Sequence, residues 1–190
     1  MKDSLRAVWR WVKWPIYILA AGYVLLVIYD IQRLFDIDKT NEAVAAIHAQ
    51  KITLADVQGT NLPPVPYQAE NDATVAGVDK NNNGVRDDVE LAIFKKYPNS
   101  AKIRAAELQY AMTEQMYLTR VFNTETWKAV AEEVGRAVGC LIDSELNFKE
   151  LETIEGLVAN TQKRKETRTK AFEFITSHGN AKGVSCDVSL

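Results

Sequence analysis

The segment DKNNNGVRDDVE, residues 79–90, carries oxygen-bearing side chains at its first, third, fifth, ninth and twelfth positions: Asp79, Asn81, Asn83, Asp87 and Glu90, with Gly84 at the sixth. In a tightly wound turn alternate side chains converge on one centre, and a glycine at the bend permits a backbone that a side chain would obstruct. Such a cluster of oxygens can surround a hard divalent cation. It can also serve as an Asn-rich turn that caps a helix at residue 87 without metal, since Asn tolerates left-handed geometry and caps well. Five donors in register with the glycine favour the cation. Elsewhere the chemistry is sparse. His48 and His178 are isolated, and the chain has no HExxH, GxSxG, CxxC or phosphate-cradling loop, so each His reads as a surface or packing residue. Asp143, Glu145 and Asn147 echo the loop but lack the glycine and have Ile154 where the last carboxylate belongs. No second site is expected there.

The twelve residues 79–90 resemble the EF-hand calcium loop. That resemblance implies a structural Ca²⁺ ligated by Asp79, Asn81 and Asn83, by the backbone carbonyl of Val85, by Asp87 directly or through water, and by both carboxylate oxygens of Glu90 from the first turn of the following helix. Two departures stand out. Residues 70–78, ENDATVAGV, are poor helix material, so no entering helix is expected. The eighth position holds Arg86, where paired EF-hands carry an apolar residue that bridges to a sister loop, and no sister loop exists. The loop is thus closer to the lone, dockerin-type loop-plus-helix units of exported bacterial proteins. The wider stretch ATVAGVDKNNNGVRDDVELAIFKKYP, behind a Pro-rich linker, is similar to uncharacterised membrane-anchored envelope proteins of Gram-negative bacteria. Three formal negative charges, with Lys80 and Arg86 beside them, imply an affinity of about 10⁻⁴ to 10⁻³ M.

A chain of 190 residues with 47% hydrophobic and 25% charged content suits one ordinary domain plus something smaller. A net charge of −2 gives no basic field for nucleic acid. Two Cys and two His exclude multi-thiolate zinc and haem-attachment sites built from this chain alone. Residues 14–29 lack any charge and would span about 24 Å as a helix. Trp9, Trp11, Trp14 and Tyr29 flank them as interfacial rings do. Lys2, Arg6, Arg10 and Lys13 precede the stretch against a single acid, Asp3. Positive charge resists translocation, so the N-terminus is expected in the cytoplasm and the C-terminal bulk in the periplasm of a bacterium, tethered to the inner membrane by one pass. A cleaved signal peptide is the rival reading. It is disfavoured because large or charged residues, DIQRLFDIDK, follow the apolar stretch.

The expected organisation is a cytoplasmic N-terminus over 1–13, a transmembrane signal anchor over 14–35, a juxtamembrane helix and Pro-rich linker over 36–78, the calcium loop at 79–90 and an α-helical domain over 87–190. The linker, LPPVPYQ at its centre, reads as a semi-rigid spacer in preference to a PxxP ligand. Helices are expected over 87–97, 100–122, 125–142 and 147–177. The third is the clearest, with Trp127, Val130, Ala131, Val134, Val138 and Leu141 on one face. In the last, a capping box at Asn147 and Glu150 opens the helix, and QKRKETRTK reads as a solvated face. In an exported domain Cys140 and Cys186 are expected to pair, closing 46 residues for about 4 kcal/mol in the chain-entropy model, in preference to a buried thiol at Cys140 and a free one in the tail. The fold class is therefore mainly α. The expected function is a membrane-anchored, non-catalytic calcium module presenting an interaction surface to an unidentified envelope protein. A cell-envelope hydrolase or cell-wall-modifying enzyme, and a calcium-responsive sensor, are the alternatives.

Overall fold

The computed structural model describes residues 2–144, 148–175 and 186–188, with side chains from residue 14 onward except that of Phe148. Asn147, Ser177 and His178 lie outside the described residues, as does Glu145. Eight helices and no strand occur among those described: α1 Lys2–Ala49, α2 Leu54–Gln58, α3 Gln68–Ala73, α4 Asp87–Lys96, α5 Ala101–Thr119, α6 Thr124–Asp143, α7 Phe148–Val158 and α8 Gln162–Phe172. The chain divides into two units, residues 1–42 and 43–190.

The first unit is helix. From Trp14 to Ile37 its large apolar side chains, Leu19, Tyr23, Leu25 and Phe35 among them, are exposed. It belongs to the single helix among the described residues that is long and apolar enough to cross a membrane, a property shared by anchors and signal sequences. The expected span and juxtamembrane helix are not separate elements, because helical backbone runs without a break to Ala49.

In the second unit α5 is the central element. Every residue from Arg104 to Leu118 is buried, so this helix is enclosed on all sides and not along one apolar face. The charges that this encloses are paired, as buried charges must be: Glu114 accepts from Arg168 Nε at 2.8 Å, and Arg104 donates to three carbonyls. α6 makes the broadest contact with α5, and α2, α4, α7 and α8 also pack on it. The expected face of α6 is partly confirmed. Trp127, Val130 and Leu141 are buried, but Glu133 and Ala137 join them while Val134 and Val138 are half-buried. Side chains cap the helix starts: Ser100 accepts from Ile103 N, and Asn123 forms a capping box with Thr126.

Three expectations about segments do not hold. The Pro-rich stretch 52–78 is not a bare spacer, since it forms α2 and α3 and sinks Ile52, Val57 and Pro63 into the unit. A Thr53–Asp56 capping box and Gly59, left-handed at φ 76°, start and stop α2. The stretch 147–177 is not one helix. Its backbone breaks at Ala159–Thr161, where Thr161 caps α8 by accepting from Arg164 N. The freed C-terminal carbonyls of α7, Leu157 and Val158, accept from Arg86 at 2.8 and 2.9 Å. Nor is QKRKETRTK wholly solvated. Arg164 is fully buried and binds the end of α3: Asp72 at 2.8 Å, the carbonyls of Val75 and Thr74 at 3.1 and 3.3 Å, and the Asn71 carbonyl. Periodicity does not separate a long basic side chain that reaches inward from one that points to water.

Candidate functional site

Residues 79–90 lie between α3 and the first turn of α4, and the Asp87 amide closes the loop onto the Val78 carbonyl at 2.8 Å. Two residues have positive φ, Asn82 at 56° and Gly84 at 86°. These are the left-handed positions that Asn and Gly occupy most readily. At Gly84 the need is also steric, because a Cβ there would run into the Gln50 side chain and approach Met112. No helix enters the loop directly. α3 ends at Ala73, and residues 74–78 bend before Asp79. The outer wall comes from the turn after α2, where the Asn61 carbonyl accepts from Asn81 Nδ2 at 2.9 Å.

All six expected donors are brought into this one turn. Asp79 accepts from the amides of Asn83 and Gly84 at 3.2 and 2.9 Å. Asn81 donates to Glu90 Oε2 at 3.0 Å, and its oxygen accepts from Asn83 N at 3.4 Å. Asn83 accepts from Val85 N at 2.8 Å. Asp87 accepts from Lys80 N at 2.9 Å. Val85, Asp87 and Glu90 have almost no exposed surface, and Asn83 is nearly as buried. Three buried polar atoms have no hydrogen-bond partner: Asp87 Oδ2, Glu90 Oε1 and Asn83 Nδ2. An unmatched buried polar group costs about 1 to 3 kcal/mol, and more when charged.

The electrostatics follow from this burial. Desolvation pushes the Glu90 carboxyl up to about 7; the Asn81 amide offsets part of it, and the charges of Asp56 and Asp87 add to it. Desolvation also raises Asp79, against the lowering effect of the Gly84 and Asn83 amides. Asp87 is raised for the same reason, opposed by Lys80 N–H and assisted by the Asp79 charge. The loop therefore gathers acids in a place where, without a counter-charge, they resist ionising. The expected donor set is suited to a cation in composition. Among the described residues, however, no group of three or more His, Cys, Asp or Glu side chains stands in metal-ligating arrangement, the loop's three acids included.

Arg86, the departure at the eighth position, has a structural role that sequence reasoning missed. It is 1% exposed, pairs through both Nε and Nη2 with Asp88 and caps α7 as described above. It ties the loop to the C-terminal end of α7.

His48 is not isolated in space. Its Nδ1 lies 2.8 Å from Glu133 Oε1, and Lys51 Nζ lies 2.8 Å from Glu133 Oε2. Burial alone would raise Glu133, but His48, Lys51 and Arg136 outweigh it and hold the carboxyl below its ordinary range. The cluster adjoins the disulfide, Cys140 to Cys186, which forms as expected with Cα atoms 4.8 Å apart. Such bonds persist in oxidising compartments and point to an extracytoplasmic domain. Comparison of the chain with protein-family models, with curated proteins and with solved structures finds no match in any of the three.

Proposed function

We propose that the chain is a membrane-anchored, non-catalytic calcium-binding module of the bacterial envelope. In this reading the apolar helix crosses the inner membrane with the N-terminus in the cytoplasm, and the helical unit stands in the periplasm and presents a surface to another envelope protein. The observation that carries the metal is the pair of buried, unpartnered carboxylate oxygens, Asp87 Oδ2 and Glu90 Oε1, inside a turn whose spacing supplies further oxygens. A divalent cation would satisfy both oxygens and favour the ionised carboxylates that burial disfavours. Asp79, Asn81, Asn83, Asp87 and Glu90, with the Val85 carbonyl, would hold it. The role is structural: the ion would fasten the α2 turn, through Asn81 and Asn61, to the start of α4. Isothermal titration of the detergent-solubilised chain is expected to give about one Ca²⁺ per chain, lost in Asp79→Ala with Glu90→Ala; equal heats in the two proteins would remove the site. Protease added outside spheroplasts is expected to digest the helical unit, and protection would reverse the orientation.

A further inference from the structure

Residues 186–188 form a strap fixed by the Cys140–Cys186 bond, and its central residue is placed as a bound ligand is. The Asp187 side chain is 1% exposed. One carboxylate oxygen accepts from Ile52 N at 3.1 Å. The other accepts from Arg136 Nη2 at 2.8 Å and lies 3.8 Å from Lys51 Nζ. The strap's main chain is read as well, since Asp187 N donates to Gln109 Oε1 at 2.8 Å. Val188 then packs against the hydrophobic core. The receiving groups come from residues 51–52, α5 and α6. They match one acidic residue followed by an apolar one in an extended peptide. With the strap absent, Glu133 alone would face the cations of Arg136 and Lys51.

We propose that Arg136, Lys51, Gln109 and the Ile52 amide form a binding site for an acidic residue of an extended peptide, which Asp187 fills in the oxidised chain and yields to a competitor once Cys140–Cys186 is reduced. The opening reaction is thiol–disulfide exchange with a dithiol. Cys140 is fully buried and Cys186 partly exposed, so a dithiol thiolate attacks Cys186 Sγ. The Sγ–Sγ bond breaks and Cys140 leaves as a thiolate. The second thiol of the reductant then resolves the mixed disulfide, freeing Cys186 and leaving the reductant as its disulfide; two electrons pass to the protein, and protons from solvent complete both thiols. The strap is afterwards held by a few polar contacts and Val188 alone, and its effective concentration is on the order of millimolar. A peptide at similar concentration competes.

The test uses the full chain in detergent and the fluorescein-labelled peptide Ser-Asp-Val amide, followed by fluorescence polarisation. The oxidised wild type is expected not to bind at millimolar peptide, and the chain reduced with dithiothreitol to bind. Cys186→Ser with Asp187→Asn should bind without reductant, about 10-fold more tightly than the reduced wild type. Arg136→Gln in that background, or Ser-Asn-Val as the probe, should weaken binding about 10-fold. Reduced chain that dimerises, and whose dimer dissociates on adding peptide, identifies a second copy as the donor; monomeric chain that binds peptide identifies a different protein. Equal binding by oxidised wild type, no binding by reduced wild type, or indifference to Arg136→Gln would overturn the proposal. Should the double variant lose its helical circular dichroism, the reduced wild type with and without Arg136→Gln decides.

Discussion

Replacing Glu90 with Gln tests the proposed metal site against the destabilising pocket that the loop forms on its own. Glu90 has no exposed surface and its Oε1 has no partner. Its carboxyl stands at about 7 against an ordinary value of 4.5. Below pH 4.5 both folded and unfolded chains hold the proton, and the residue imposes no penalty. Between 4.5 and 7 the unfolded chain loses the proton that the folded chain retains, so stability falls as pH rises and reaches its full deficit above 7. A shift of this size corresponds to about 3 kcal/mol. Gln keeps the shape, can still accept from Asn81 and carries no charge. In chelator, Glu90→Gln is therefore expected to match the wild type near pH 4 and to exceed it by about 3 kcal/mol at pH 8, or about 6 to 12 °C in melting temperature. Adding 10 mM Ca²⁺ at pH 8 should return about 1.4 to 2.7 kcal/mol to the wild type, given an affinity of about 10⁻⁴ to 10⁻³ M, and nothing to the variant. Chemical denaturation at pH 4, 6 and 8, with chelator and with calcium, measures all of it. A variant less stable than the wild type at pH 8 in chelator, or a difference that does not change with pH, would refute the reasoning.

Three further outcomes are expected. Arg164→Met removes the guanidinium donors from the end of α3 and should cost about 3 kcal/mol or more in urea titrations, with faster hydrogen exchange over residues 71–75; a change within about 0.5 kcal/mol would contradict its role. Gly84→Ala should destabilise through both its φ of 86° and the clash with Gln50, and adding Gln50→Ala should recover the steric part alone; full recovery would show that the left-handed backbone carries no strain. Because Glu133 is held below its ordinary range, its stabilisation is present above pH 4.5 and is lost as pH falls further. Glu133→Gln should then be more costly at pH 6 than at any pH below 4.5, with the cost shrinking as pH falls, in thermal melts.

Much of this architecture is legible in the sequence, and the rest is hidden for identifiable reasons. The helical class, the limits of α4 and α6 to within a residue or two, the turn at Gly84 and the cysteine pair all follow from local patterns: charge at helix ends, apolar recurrence, a glycine among asparagines and an expected export. What escapes is long-range. Residues 52–78 read as a spacer because prolines dominate them, yet Val57 and Ile52 are enough to seat the stretch against α5. α5 has little sidedness since it is enclosed on every side and its charges are matched by partners far off in the chain, such as Arg168 for Glu114. The break before α8 is written locally in Asn160–Thr161, but its stabilisation comes from Arg86, more than 70 residues upstream. His48 and Glu133, 85 residues apart, likewise meet only in space.

The guanidinium groups of Arg86, Arg104 and Arg164 each serve carbonyls at the end of another helix: α7 for the first, α2 and the neighbouring α4 for the second, α3 for the third. A planar fork can satisfy two or three acceptors at once, which a lysine ammonium cannot copy in the same geometry. The consequence concerns cooperativity. Releasing any one of these helix ends orphans carbonyls whose donor sits in another segment, so the small elements α2 and α3 do not fray independently. They should melt with the bundle in a single transition, and trimming the stretch before the loop would strip Arg164 of its acceptors at the end of α3 and Arg104 of the Val57 carbonyl.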